Sequence, residues 1–449
     1  MPQPGSFING VDLSFIPQVE ANAGKYYSGG AAIDAVELFA QNSANYARFR
    51  LWHTPSDGYC NLEKTLEMAA RAKQAGIKVL LDFHYSDTWA DPSNQYKPAA
   101  WENVSYPLLS DSIYNYTYSV IHTFDSLNIL PEIVQIGNEI TSGLLWPDGS
   151  IGGQYDTPQQ WAQFAQLLKK AIRAVHDAAS DTVKIMIHID RGGNNSTCRW
   201  FYDNLKKYDV PYDIIGLSYY PWWHGNFAVL KQNLDDMSLR YNKEIIVVET
   251  AYPWTLSWND NTNNIVGSNE QLSAGYPASV QGQYSFLYDL IRIIKDVPEG
   301  KGIGLFYWAP DWISAPTFGS AWENLAMFDF QGEALQALKV FREAQIDTGV
   351  EEKYVPVNSF MLCQNYPNPF NNSTLITYEL KENTAVSIIV YDVSGRKIKE
   401  LVNHDLSKGV YRVYWDGKDN SGNEISSGIY FIRMNTHNYK KSIKALLLK

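Results

Sequence analysis

Apolar residues recur through most of the chain in short runs of strand length, each closed by polar or aromatic positions. Eight such runs follow one another: Phe7–Leu13, Tyr46–Trp52, Lys78–Tyr85, Ile133–Glu139, Lys184–Asp190, Asp213–Pro221, Glu244–Tyr252 and Gly302–Pro310. Their near-continuous Val/Ile/Leu character predicts strands buried on both faces. Between them the apolar spacing becomes helical. Leu62–Ala75 (LEKTLEMAARAKQA) stops at Gly76, a helix C-terminal signal. Trp161–Ala178 places Phe164, Leu167, Leu168, Ile172 and Val175 on one face, and Gln281–Asp296 is a third helix. Strand then helix, repeated eight times within residues 1–345, predicts an α/β fold, a (β/α)8 TIM barrel with enlarged loops. Residues 346–358 (IDTGVEEKYVPVN) are polar and weakly patterned and read as a linker. From 359 to 449 short strands such as Ser387–Tyr391, Val410–Trp415 and Gly428–Met434 alternate with turn signals at Asp392-Val393-Ser394-Gly395, Asp416-Gly417 and Asn420-Ser421-Gly422. That pattern predicts a small all-β sandwich.

Charge supports this division. Residues 355–449 carry 12 basic and 8 acidic side chains, whereas residues 1–354 carry 25 and 40. The total of −11 argues against a nucleic-acid partner. Aromatics make up 14%, with 14 Trp and 30 Tyr, which suits a sugar-binding surface as well as a large core. Cys60, Cys198 and Cys363 lie far apart without metal-binding spacing and are expected to be unpaired thiols. No apolar run is long enough to span a membrane, and the opening Met-Pro-Gln-Pro-Gly does not read as a signal peptide.

Two runs end in a carboxylate. Glu244–Trp254 reads EIIVVETAYPW and delivers Glu249; Pro131–Ile140 reads PEIVQIGNEI and delivers Asn138-Glu139. In a parallel barrel, glutamates closing strands four and seven meet at the C-terminal mouth, where glycosidic bond cleavage requires two carboxyls flanking one sugar. A rim glutamate in a salt bridge is the competing reading for either one alone. Arg50 shares strand parity with Arg48 and Trp52, so it points into the mouth, where a cation would hold the nucleophile ionised. His84 closes strand three and is either a hydrogen-bonded core histidine or a substrate contact. Sugars stack their C–H faces on aromatic rings; Trp89, Trp222, Trp223, Trp254, Trp308 and Trp312 lie at or just beyond strand ends, with Trp308 the leading platform.

The pairing of Asn138-Glu139 with Glu249 resembles clan A glycoside hydrolases, and within them the family 53 endo-β-1,4-galactanases. The matching pieces are Gly10-Val11-Asp12-Leu13-Ser14, Arg48-Phe49-Arg50-Leu51-Trp52, Asp82–Trp101, Gln135–Glu139, Gly216–Gly225, Glu249–Pro253 and Trp322–Gly332. The resemblance implies a retaining enzyme with Glu139 as acid/base and Glu249 as nucleophile, acting on β-1,4-galactan of pectic arabinogalactan without an organic cofactor. It further implies that Asn138 bonds the hydroxyl beside the reacting carbon and that Tyr219 or Tyr220 steadies the nucleophile. The family commonly has glutamate where this chain has Ala309. Some relatives bind calcium after strand seven; here Asn259, Asn261 and Asn263, with Asp260, are weak candidates and a solvated loop is the expectation. Other readings are action on mannan or xylan, or a non-catalytic galactan-binding surface protein. At the other end, Gln364–Asn371, Tyr391–Arg396 and Ser426–Phe431 resemble a type IX secretion sorting domain. This implies the secretion machinery as a partner and an extracellular or cell-surface location; the alternative is a carbohydrate-binding module using Tyr414 and Trp415.

Overall fold

Residues 7–343, 360–365, 368–371, 374–406 and 409–448 are described by the computed structural model. Eight parallel strands close into a barrel: β1 (Ile8–Asp12), β2 (Tyr46–Leu51), β3 (Lys78–Phe83), β4 (Ile133–Ile136), β5 (Lys184–Ile189), β6 (Ile214–Ser218), β7 (Glu244–Thr250) and β8 (Gly302–Tyr307). Each pairs with its sequence neighbours, and β8 pairs with β1. The connecting helices are α1 (Ala35–Gln41), α2 (Leu62–Gln74), α3 (Leu108–Ser126), α4 (Pro158–Ala178), α5 (Asn195–Lys207), α6 (Phe227–Tyr241) and α7 (Val280–Lys295). The eight strands fall within the eight apolar runs.

Local chemistry explains where the helices stop and start. After α2 the chain turns at Gly76 (φ +77°), with Ile77 N–H bonded to Ala72 O and Gly76 N–H to Lys73 O, a Schellman motif that satisfies otherwise orphaned carbonyls. Thr157 caps α4 by accepting the N–H of Gln160, and Pro158 opens the helix. The apolar pattern of α3 is faint in the sequence because Ser, Thr, Tyr and Asn dilute it. Its stripe of Leu109, Ile113, Thr117, Val120, Ile121 and Phe124 is nevertheless buried, so tertiary packing rather than propensity holds it helical.

Inside the barrel, Ile8, Leu80, Ile133, Met186, Ile214, Ile246, Val248 and Phe306 form a separate apolar cluster. Small residues make room for large ones. A Cβ on Gly10 would lie 2.3 Å from the Phe306 ring, and one on Gly304 would lie 2.3 Å from Ile8. Nearer the strands' C-terminal ends the inward positions are polar and still buried: Asp12, Arg48, Asp82, Gln135, His188 and Ser218.

The contacts divide the chain into Met1–Ile346 and Asp347–Lys449. In the second unit one sheet joins β9 (Met361–Leu362), β10 (Thr374–Leu380) and β13 (Gly409–Trp415). The other joins β12 (Lys397–Leu406), β11 (Thr384–Asp392), β14 (Gly428–Asn435) and β15 (Lys440–Leu447), in that order. The predicted turns are present: Gly395, Gly417 and Gly422 have positive φ, and Asp392 accepts the N–H groups of Ser394 and Arg396. Trp415 is fully buried against Phe370 and Tyr430, so it is core and not the exposed sugar platform that a carbohydrate-binding module needs. The linker expected at 346–358 lies outside the described residues, as do Tyr366 and Pro367. Cys60 and Cys198 are buried free thiols, and among the described residues no helix is long and apolar enough to cross a membrane.

Candidate active site

Strict alternation along β7 puts Ile246 and Val248 inside the barrel and would turn Glu249 outward. The register shows why it does not. Leu217 pairs with Val247 while Ser218 pairs with Glu249, and Val247 and Thr250 pair with Leu305 and Tyr307, so β7 carries one extra residue against both neighbours. This bulge re-aims Glu249 into the mouth. There its Oε1 lies 2.9 Å from Arg48 Nη1, and its Oε2 accepts the Tyr220 hydroxyl at 3.0 Å.

Arg48, rather than Arg50, is therefore the cation beside Glu249. Its guanidinium also meets Asp12 at 2.9 Å and Asp82 at 2.8 Å, and donates to Gln135 Oε1 and Asn138 Oδ1. Arg50 does point inward, as parity requires, but sits between the rings of Phe15 and Trp89, 4.1 and 4.3 Å from their centroids. Of the two tyrosines, Tyr220 reaches Glu249. Tyr219 is buried beside Phe227 and Phe286 and donates to Gly225 O, which removes it from the expected substrate contacts.

At the end of β4 the backbone turns through left-handed conformations at Gly137 (φ +80°) and Glu139 (φ +48°). At position 137 a Cβ would come within 2.6 Å of Ile140, and φ is positive, so glycine is required. Asn138 is clamped: its Oδ1 accepts from Arg48 and Gln135, and Nδ2 donates to Ala90 O at 2.8 Å. Glu139 Oε1 accepts the Ser218 hydroxyl at 2.6 Å, and Ser218 Oγ lies 2.8 Å from His188 Nε2. The side chains of Asp82, Gln135, His188 and Ser218 thus join the two strand ends into one buried network.

The two carboxyls have different surroundings. Burial raises the pKa of Glu139 well above its ordinary value, and the charges of Glu249 and Asp190 push it further; the Ser218 hydroxyl and Arg48 only partly oppose this. Burial also raises Glu249, but Arg48 and Tyr220 act directly on its carboxylate and favour the charge. Glu249 is therefore the first of the pair to ionise. His188 is held neutral by burial and by the Arg48 charge. Burial works against the charge of Asp82, yet Arg48 and His84 hold its pKa below the usual carboxylate range.

His84 is committed to structure. Its Nδ1 accepts from Trp52 Nε1 and from the N–H of Ala90, which leaves the proton on Nε2 facing Asp82 at 3.0 Å. Around the mouth Trp89 is 36% exposed, and Trp308 and Trp312 are half-buried beside it, grouped around Phe15. Trp308 also packs edge-on against Trp322, with centroids 4.6 Å apart. Trp222 and the exposed Trp223 pack around Tyr220, whereas Trp254 packs on Phe330. Ala309 is buried in a left-handed turn, with no access to the mouth.

Around the loop after β7, Asp260 and, from the segment after β8, Glu323 accept backbone N–H groups. Glu323 Oε1 accepts the N–H of Asn259, and Asp260 accepts those of Thr262 and Ser320. Asn259, Asn261 and Asn263 are exposed. Among the described residues no group of three or more His, Cys, Asp or Glu is placed to hold a metal ion.

Sequence reasoning missed Asp12, Arg48, Asp82, Gln135, His188 and Ser218 as site residues. The signal was present. Each is a polar residue at an inward position near the C-terminal end of an apolar strand, where it is tolerated only if paired.

The model of the family described as glycosyl hydrolase family 53 matches residues 8–341, and that of the FlgD Ig-like domain matches residues 370–440. The second match corrects the sorting-domain expectation: over residues 370–440 the C-terminal unit is similar to the FlgD Ig-like domain and not to a type IX sorting domain. The motif residues there have a structural use, since Gln364 and Asn368 side chains donate to Lys444 O and Asn368 Oδ1 accepts Leu446 N–H. An uncharacterized protein in the bgaB 5′ region of Niallia circulans is 48% identical over 344 residues, covering 75% of this chain and 94% of that protein. The arabinogalactan endo-β-1,4-galactanase of Thermothelomyces thermophilus is 38% identical over 347 residues, covering 74% and 98%. Among solved structures, the Ignisphaera aggregans GH53 catalytic domain superposes with a TM-score of 0.71 at 42% identity, covering 76% of this chain and 97% of that one. A fungal β-1,4-galactanase structure gives 0.66 at 34%, covering 74% and 98%.

Proposed function

The chain belongs to glycosyl hydrolase family 53, and on that premise we propose that it is an endo-β-1,4-galactanase that cleaves the β-1,4-galactan of pectic arabinogalactan by double displacement. The observation that carries this reading is the contrast between the two glutamates, one held by Arg48 and Tyr220 and the other, half-buried, held by the Ser218 hydroxyl. In the first step Glu249 attacks the anomeric carbon while Glu139 gives its proton to the departing glycosidic oxygen. In the second, Glu139 takes a proton from water, which displaces Glu249 and releases the sugar with its configuration retained. Asn138, with one Nδ2 proton on Ala90 O, turns the other toward the neighbouring sugar hydroxyl. Trp89, Trp308, Trp312 and Trp222 supply the stacking faces. The reaction needs no metal or organic cofactor, because the two carboxyls supply both the nucleophile and the proton. Since a polysaccharide does not cross a membrane, the enzyme works outside the cell or at its surface; activity confined to the cell interior of the producing organism would count against that.

Reducing-sugar release from linear β-1,4-galactan by wild type, Glu139→Gln and Glu249→Gln tests the reading. Wild-type turnover, with kcat lost by about 10²–10⁴-fold in the acid variant and at least as much in the nucleophile variant, is expected. Intact galactan that still binds would identify a binding protein, and hydrolysis of mannan or xylan with galactan untouched would move the substrate. Proton NMR of freshly released ends reads the stereochemistry, and an inverted anomer would overturn the double displacement.

A further inference from the structure

We propose that Ser218, oriented by His188, is a positioning residue that confines the transferable proton of Glu139 to Oε2; this rests on Glu139 being the acid. His188 and Ser218 are fully buried. The backbone N–H of Glu139 donates to His188 Nδ1, at 3.4 Å, and a backbone amide can only donate. Asn138 Oδ1, the acceptor 3.0 Å from that nitrogen, already takes Arg48 Nη2–H and Gln135 Nε2–H, which fill its two lone pairs. The ring proton of His188 is therefore on Nε2 and points at Ser218 Oγ, 2.8 Å away. Ser218 has one proton, and with its His188 side occupied by a donor that proton goes to Glu139 Oε1 at 2.6 Å.

Oε1 is thereby an acceptor whether or not the carboxyl is protonated. The catalytic proton sits on Oε2. When the glycosidic C–O bond breaks, the leaving oxygen keeps the electron pair and takes that proton; when water attacks, Oε2 takes one back. The relay behind Oε1 keeps its direction through both steps, so the acid is poised without reorganisation. Without the Ser218 hydroxyl the proton can reside on either oxygen, and the carboxyl loses the bond that fixes its rotation.

The test exploits leaving-group chemistry. A sugar hydroxyl needs the proton to depart, whereas 4-nitrophenolate does not, and kcat/KM reports the first step alone. The ratio of kcat/KM on galactan to that on 4-nitrophenyl β-1,4-galactobioside is measured for wild type, Ser218→Ala, Ser218→Thr and Glu139→Gln. The ratio is expected to fall at least about 10-fold in Ser218→Ala, a part of the ~10²–10⁴ that a positioned acid supplies, and to recover in Ser218→Thr, which keeps the hydroxyl. A parallel fall on both substrates, or no fall on galactan, overturns the proposal. If Glu139→Gln shows the leaving-group bias and Ser218→Ala does not, the relay alone is wrong; if neither shows it, the acid assignment fails with it.

Discussion

At one end of the barrel the inward side chains are Ile8, Leu80, Ile133, Met186 and Phe306. Two residues farther along, three of the same strands carry Asp82, Gln135 and His188 instead, with Asp12 and Arg48 beside them, and all are equally shielded from solvent. Strand geometry and alternation are shared, so the contrast isolates what the side chains do. The apolar end stabilises through removal of hydrocarbon from water, a term that is non-directional and tolerates rearrangement. The polar end is costly to bury and holds only because Arg48 meets three carboxylates while Gln135, Asn138 and His188 fill the remaining positions. One end supports the fold; the other is pre-organised for charge.

The contrast can be broken from either side. Arg48→Met should have the largest effect. It strips the shared cation from Asp12, Asp82 and Glu249, so about 3–5 kcal/mol of stability should vanish in urea unfolding, and turnover should fall in the fraction that stays folded. An unchanged midpoint would mean the network contributes nothing to stability. Phe306→Ala attacks the apolar end at a similar cost of about 3–5 kcal/mol, yet kcat per folded molecule should stay near wild type. Were activity to fall as steeply as in Arg48→Met, the two ends would not be separable.

Tyr220→Phe sharpens the polar side with a smaller change. The hydroxyl stabilises ionised Glu249, so its removal raises that pKa, and the proposed double displacement requires Glu249 to be ionised. The acid limb of kcat/KM against pH should therefore move to higher pH; a move in the other direction would remove Tyr220 from this role. The smallest effect belongs to EDTA. Because Asp260 and Glu323 already accept backbone N–H groups, neither rate nor unfolding midpoint should change, and a loss restored by calcium would contradict this.

Much of this organisation was legible because it is written locally. Each barrel strand is a short apolar run, α2 ends at a glycine whose turn needs positive φ, and both glutamates close strands that a parallel barrel aims at one mouth. Inward parity along β2 also picks out Arg50, but parity specifies a face and not a height. Arg50 lies in an aromatic stack one level above the charges, and Arg48 is the residue at the level of Glu249. The same limit left Tyr219 and Tyr220 open. Adjacent residues at a strand end point opposite ways, and only the packing of Phe227 and Phe286 against Tyr219 decides which hydroxyl reaches the carboxylate.

The sequence by itself determined the eight-fold strand and helix order, the sandwich that follows it, and the positions of Asn138, Glu139 and Glu249, because periodicity and turn chemistry act between near neighbours. Tertiary structure decided the rest. The extra residue in β7 that turns Glu249 inward exists only against the registers of β6 and β8. The relay from His188 through Ser218 to Glu139 joins three strands, with Ser218 and Glu139 separated by 79 positions in the chain. Such pairings depend on the height and tilt at which closed strands meet, and no pattern along a single strand encodes that.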